Sequence, residues 1–168
     1  MSDPSEPEVN RAFDAARFRQ VLGHFPTGVT VVTAADGEQP VGLAVGSFTS
    51  VSLEPPLVAF CPAKTSSSWP KIRAAGHFCV NILAEDQEDV CRAFASKATD
   101  KFEGLGWRRG TKGVPILTDV LAWIVCHIDA VHDAGDHEVV IGRVIELEVE
   151  KESGPLVFYR GGYGRFSP

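Results

Sequence analysis

The sequence predicts a mainly β protein, an antiparallel barrel with short helices over its ends. Runs rich in Val, Ile and Thr outnumber helical patterns. They follow one another without the regular strand–helix alternation that builds a doubly wound parallel sheet. Two long strand patterns, Leu121 to Val131 and Glu138 to Glu150, are separated only by His132-Asp133-Ala134-Gly135-Asp136-His137. Long paired strands leave exposed edges unless the sheet closes on itself, which favours a barrel.

In chain order, residues 1–11 are polar with two prolines and read as a flexible tail, so the folded domain is placed at residues 12–168. Asp14 can cap a helix from about Ala15 to His24. On it Phe18, Val21, Leu22 and Phe25 form one apolar face at i, i+3, i+4 and i+7, and Pro26 ends it. Gly28 to Thr33 is a β-branched strand, and Asp36-Gly37 signals a turn into a second, Val41 to Phe48. Leu57 to Phe60 is a third strand, bounded by Pro55-Pro56 and Pro62. Ser67 or Ser68 caps a short helix to Ala75 with Trp69 and Ile72 inward; Phe78 to Leu83 is the fourth strand. Asp86 opens a helix with Val90 and Phe94 on one face. Lys97 to Pro115 reads as a loop rich in glycine and charge. After the two long strands come Leu156 to Tyr159 and a closing Gly161-Gly162-Tyr163-Gly164-Arg165. No internal repeat is present.

A chain of 168 residues suits one domain with a sizeable core. Its polar, acidic first ten residues do not form a secretory signal, and no apolar stretch approaches the ~20 residues of a helical membrane span. The expectation is a soluble, cytoplasmic protein with no membrane association. A net charge of −6 with scattered basic residues argues against nucleic-acid binding, which needs a basic face. The run Trp107-Arg108-Arg109-Gly110-Thr111-Lys112 reads as a solvated loop. Cys61, Cys79, Cys91 and Cys126 have no CxxC spacing, and three sit in apolar runs, as buried small hydrophobes do in a reducing compartment.

The usual chemistry-bearing motifs are missing. There is no GxGxxG, P-loop, HExxH or GxSxG stretch. His132, Asp133, Asp136 and His137 lack a firm metal-ligand spacing, so no metal is expected. Glu146, Glu148 and Glu150 alternate as the solvent side of a strand. What remains is hydroxyl density: Ser47-Phe48-Thr49-Ser50-Val51-Ser52, then Lys64-Thr65-Ser66-Ser67-Ser68-Trp69 just before a helix. Such residues suit a phosphate and a flat polar ring. With Asn81, one well-placed histidine and an aromatic C-terminal loop, they point to a bound organic redox cofactor that brings its own chemistry.

These stretches resemble the short-chain flavin reductase family, whose members fold as an FMN-binding split barrel. The matching segments are Phe25 to Thr33, Gly42 to Pro56, Phe60 to Trp69, Phe78 to Leu83, Gly135 to Val144 and Pro155 to Tyr163. Their order and spacing are most similar to the NADH:flavin oxidoreductase components of two-component flavin-dependent monooxygenases. The resemblance implies a homodimer that binds FMN or FAD non-covalently, oxidises NADH or NADPH, and hands reduced flavin to a separate oxygenase. It implies that Ser47, Phe48, Thr49, Ser50, Val51 and Ser52 lie along the flavin ring, with Ala63, Lys64, Ser66 and Ser68 at its phosphate. Asn81 and Ile82 match further flavin contacts, Pro26 and Thr27 line the same cleft, and His137 matches a histidine near the nicotinamide. Arg160 and Tyr163 close over a bound ring or anchor the C-terminus. Some family members continue beyond the position of Pro168, and contacts from such an extension are not expected here.

Hydride transfer needs stacked rings with reacting atoms about 3–3.5 Å apart and donors near the developing anionic ring, but no dedicated acid or base. His137 is therefore expected to position rather than to transfer a proton. A flavin-storage protein on the same barrel and a pyridoxamine-phosphate-oxidase-like enzyme are the alternatives. The second would need a basic cluster for substrate phosphate, which the sequence does not show. FMN against FAD stays open, and the same want of a basic cluster leans towards NADH over NADPH.

Overall fold

A computed structural model describes residues 13–168; the tail expected at residues 1–11 lies outside the described residues. Helix α1 (Ala15–Leu22) starts where Asp14 accepts the Arg17 N–H at 2.8 Å. It ends at Leu22, with Gly23 as its C-cap, two residues earlier than the sequence pattern predicts, and its apolar face does not pack on the barrel. Phe18, Val21, Leu22 and Phe25 are all exposed, Phe25 to 71%.

Strands follow in the order β1 (Thr27–Gly28), β2 (Thr30–Asp36), β3 (Gln39–Val45), β4 (Thr49–Ser52) and β5 (Leu57–Phe60). After α2 (Trp69–Ala75) come β6 (His77–Ile82), α3 (Glu88–Ala95), β7 (Trp107–Arg109) and β8 (Pro115–Leu117). The long hairpin is β9 (Ala122–Ala134) and β10 (His137–Val149), then β11 (Leu156–Tyr159) and β12 (Gly162–Arg165). Seven strands form one antiparallel sheet in the order β3-β2-β6-β9-β10-β5-β4. Its two edge strands, β3 and β4, are consecutive in sequence and linked only by residues 46–48. So short a link holds the two edges close, and the sheet must curl to allow it. The edges adjoin without pairing, so the predicted mainly β architecture is a barrel split at that seam.

Alternation along the strands sends neighbours to two cores. Val32, Phe78, Val80, Cys126 and Val140 pack with Phe60, Trp69 and Ile72 on the side of α2. Val31, Cys79, Leu83 and Val125 pack with Phe94, Phe102 and Ile116 on the side of α3 and β8. At Gly142, opposite a bulge where β9 carries the extra residue Asp129, an added Cβ would stand 2.5 Å from the Phe78 ring, so the strand passes that ring only without a side chain.

The segment read as a loop from Lys97 to Pro115 contains β7 and the start of β8, a hairpin whose three-residue strands are too short to show a period. The strand expected over Val41 to Phe48 breaks at Gly46, where the chain crosses the seam. Ser68 occupies the N-cap of α2 without a side-chain cap bond; the Ser66 hydroxyl accepts the Trp69 N–H instead, at 3.2 Å. The glutamate face of β10 is exposed as predicted, but so is the opposite one: Ile145, Leu147 and Val149 all lie open. The four cysteines are free, and burial pushes the Cys79 and Cys126 thiols up to about 12, away from reactivity.

Candidate functional site

A cleft of about 730 Å³ opens at the seam. One wall is the end of β3 and the link after it, from Leu43 to Ser47, the other the segment after β5 from Cys61 to Ser67, excluding Lys64. His137 stands at one rim, and Phe94 to Lys97 with Lys101 close the far side. Ser47 clasps the walls: its hydroxyl accepts the Cys61 N–H at 2.9 Å and lies 3.4 Å from the Cys61 carbonyl. The β9–β10 turn is stitched to the same wall, since Lys64 N–H donates to the Asp136 carbonyl and Glu138 N–H to that of Pro62.

His137 is held by this stitching, bridged to Ala63 on the backbone. Its Nδ1 donates to the Asp136 carboxylate at 2.7 Å, which leaves Nε2 for a ligand. That hydrogen bond, and then the charge of His137, hold the Asp136 carboxyl below its usual range.

Two features of the cleft are unfinished. The Thr27 hydroxyl is buried with no hydrogen-bond partner, the only such side-chain atom among the described residues. It lies 3.4 Å from where a Cβ of Gly46 would stand, so it sits directly behind the cleft wall. Lys101 is half-buried, donates to the Phe94 carbonyl at 3.1 Å and the Ser68 hydroxyl at 3.4 Å, and meets no carboxylate among the described residues. Burial lowers its pKa from the ordinary lysine value. An orphaned hydroxyl, an uncompensated half-buried ammonium group and a hydroxyl-bearing wall fit a flat polar ring that carries a phosphate.

Of the sequence-predicted residues, Ser47, Ala63, Ser66 and His137 line the cleft and Thr27 adjoins it. Pro26 is exposed just before Thr27. Phe48 packs on the α2 side of the core, while Thr49, Ser50, Val51 and Ser52 run along the edge strand β4 without lining the cleft. Lys64 is turned away into an ion pair with Asp133. Ser68 is buried and faces Lys101 from outside the cleft. Asn81 is 0% exposed and fully occupied inside the barrel, and Ile82, on the same strand, does not line the cleft either. Tyr163 lines a smaller pocket of about 190 Å³ that adjoins the cleft through Ala44 to Gly46, its hydroxyl 3.3 Å from the Cys91 sulfur. Arg160 sits in the β11–β12 turn at φ +50°, and its N–H donates to the Gly23 carbonyl; it anchors the end of α1.

The sequence reading missed Lys97 and Lys101. Their signal was position: cations just beyond a helix are drawn to its free carbonyls, as Lys101 is to Phe94. Among the described residues no three His, Cys, Asp or Glu side chains gather as a metal site. No described helix is long and apolar enough to cross a membrane.

A family model described as a flavin reductase like domain matches residues 22–167. A flavin reductase from Pseudomonas putida is 57% identical over 160 residues, 95% of this chain and 94% of its own. A nitrilotriacetate monooxygenase component B homologue from Mycobacterium thermoresistibile superposes with a TM-score of 0.89 at 50% identity, covering 91% of this chain and 87% of its own. The NADH:FAD oxidoreductase SgcE6 of Streptomyces globisporus, solved with NAD and FAD fragments, superposes at 0.88 with 37% identity, covering 92% and 94%.

Proposed function

The chain belongs to the flavin reductase-like family, and on that premise we propose that it is an NAD(P)H-dependent flavin reductase. In this reading it passes hydride from a reduced nicotinamide to FMN or FAD and supplies the reduced flavin to a separate flavin-dependent oxygenase in the cytoplasm. The observation that carries the reading is the seam cleft, whose Thr27 hydroxyl has no hydrogen-bond partner and whose Lys101 has no carboxylate partner among the described residues. Bound flavin supplies the hydride acceptor. The main chain around Gly46 and Ser47, backed by the Thr27 hydroxyl behind it, would hold the polar edge of the ring, while Ser66, Lys97 and Lys101 would hold its phosphate. His137, kept in one tautomer by Asp136, presents Nε2 to orient the nicotinamide over the open face. No proton transfer is asked of it.

The protein acts as a homodimer in this reading. The apolar side chains of α1 and those of β10 at Ile145, Leu147 and Val149 lie exposed, and clustered exposed apolar side chains mark interaction surfaces. Replacing Leu147 with Glu is expected to give a monomer by light scattering.

Anaerobic mixing of catalytic amounts of protein with flavin and NADH tests the activity. Rapid loss of the flavin's visible absorbance supports a reductase. Tight binding without turnover would make the protein a flavin store instead. His137→Ala is expected to raise KM for the nicotinamide about tenfold while flavin affinity holds, and unchanged kinetics would remove the positioning role. Ser66→Ala should weaken FMN binding but not riboflavin binding; equal losses would contradict a phosphate contact there.

A further inference from the structure

Neither His77 nor His127 lines the cleft, and strand register alone brings them together. They stand directly opposite each other on β6 and β9. The Ile128 N–H donates to the Gly76 carbonyl at 2.9 Å, so the two histidines form a non-hydrogen-bonded pair, the kind in which opposed side chains lie closest. Their ring centroids are 5.3 Å apart and the ring planes meet at 65°. His127 is exposed and His77 partly so, which leaves the pair open to solvent.

Neutral imidazoles ligate late first-row divalent cations. One ring nitrogen of His77 donates to the Ala75 carbonyl, which orients the ring and leaves the second nitrogen as a lone-pair donor. Burial, then the charges of His127 and Lys112, keep His77 neutral to lower pH than an ordinary histidine. An ion about 2.1 Å from one nitrogen of each ring lies about 3.2 Å from each ring centre. Centres 5.3 Å apart then subtend about 110° at that ion, near the tetrahedral angle that zinc adopts. Arg143, opposite His127 on β10, is engaged by the Asp129 carboxylate at 3.1 Å, whereas the charge of Lys112 reaches His77 and opposes a cation. No third His, Cys, Asp or Glu joins the pair among the described residues, so the remaining coordination positions fall to water.

We propose that His77 and His127 form a surface site for a late first-row divalent cation such as Zn²⁺ or Ni²⁺, bound by one nitrogen of each ring. The ion ties β6 to β9 where β6 begins. The site is separate from the cleft and does not depend on the flavin reductase reading.

Calorimetry of the full chain with Ni²⁺, Zn²⁺ and Mn²⁺ as probes tests it. Wild-type protein is expected to take up one equivalent of Ni²⁺ or Zn²⁺, and to bind Ni²⁺ roughly tenfold or more tightly than Mn²⁺. His77→Gln and His127→Gln should each weaken Ni²⁺ binding roughly tenfold or more, because a single imidazole remains. Lys112→Gln should tighten it about threefold, and His132→Gln, further along β9, should leave it unchanged. Urea unfolding supplies the second readout: Ni²⁺ should raise the midpoint of the wild type but of neither His77→Gln nor His127→Gln, whose own cooperative transitions show that they fold. Absence of saturable binding overturns the proposal. So does binding that survives both histidine substitutions, or that His132→Gln removes.

Discussion

Asn81 and Thr27 are both small polar residues on strands of this protein, and they end in opposite states. Asn81 spends everything it has. Its amide nitrogen donates at 3.0 Å both to the Val31 carbonyl and to the Thr33 hydroxyl, and its oxygen accepts the Leu117 N–H at 2.9 Å. Thr33 in turn donates to the Pro115 carbonyl, so the pair pins β8 to β2 and β6. Thr27, at the seam, leaves its hydroxyl unmatched among the described residues, and Lys101, on the far side of the cleft, leaves its charge unmatched among them. A satisfied buried network specifies the fold, whereas buried polar groups left open mark where something else is to be received.

The largest expected effect lies in the satisfied set. Asn81→Leu strands the Leu117 N–H and loosens β8, and should cost about 3 kcal/mol in urea unfolding. The folded variant should still bind riboflavin as the wild type does. Lost flavin affinity with unchanged stability would invert the comparison and return Asn81 to the ligand. Thr27→Val is the smaller and opposite case. Removing an orphan hydroxyl should leave stability unchanged or raise it by up to about 1 kcal/mol, while flavin affinity falls roughly tenfold. A marked loss of stability instead would show that the hydroxyl already has a partner in the protein.

The same contrast explains what could be read in the chain. The strands were legible because β-branched runs and turn residues act locally: Asp36 and Gly37 sit at the β2–β3 turn, Gly37 with φ +62°, and Gly135 turns β9 into β10 with φ +70°. The cleft was half legible. Ser47, Ser66 and His137 face it, but Lys64, in the same hydroxyl-rich run, is drawn off by Asp133, 69 residues away. Asn81 within Phe78-Cys79-Val80-Asn81-Ile82-Leu83 looks alike whether it faces a ligand or a core network, because its partners lie on β2 and β8. Lys101 reaches the cleft only through the docking of α3. Alternation on β10 separates the glutamate side from Ile145, Leu147 and Val149, yet it cannot say whether the apolar side is covered by the same chain.

The smallest effect tests a third polar set, on neither list. His77 opens β6 and meets His127 of β9 edge-on, ring centroids 5.3 Å apart. Burial, then the charges of His127 and Lys112, lowers its pKa from the ordinary histidine value. A histidine whose folded pKa lies below its unfolded one contributes fully above the unfolded pKa of about 6.5, and that contribution fades as pH falls through the folded value, because the unfolded chain takes up the proton first. The urea midpoint should therefore decline from pH 7 to pH 5, and His77→Gln should make the decline shallower. Asp136 and Glu150, whose carboxyls are held low by His137 and Arg108, lose their contributions only in more acid solution, below about pH 4, so they do not share this window. His77 lines no part of the cleft, so flavin affinity should not follow the substitution; if it did, the barrel wall and the seam would be coupled, and the separation drawn between Asn81 and Thr27 would no longer hold.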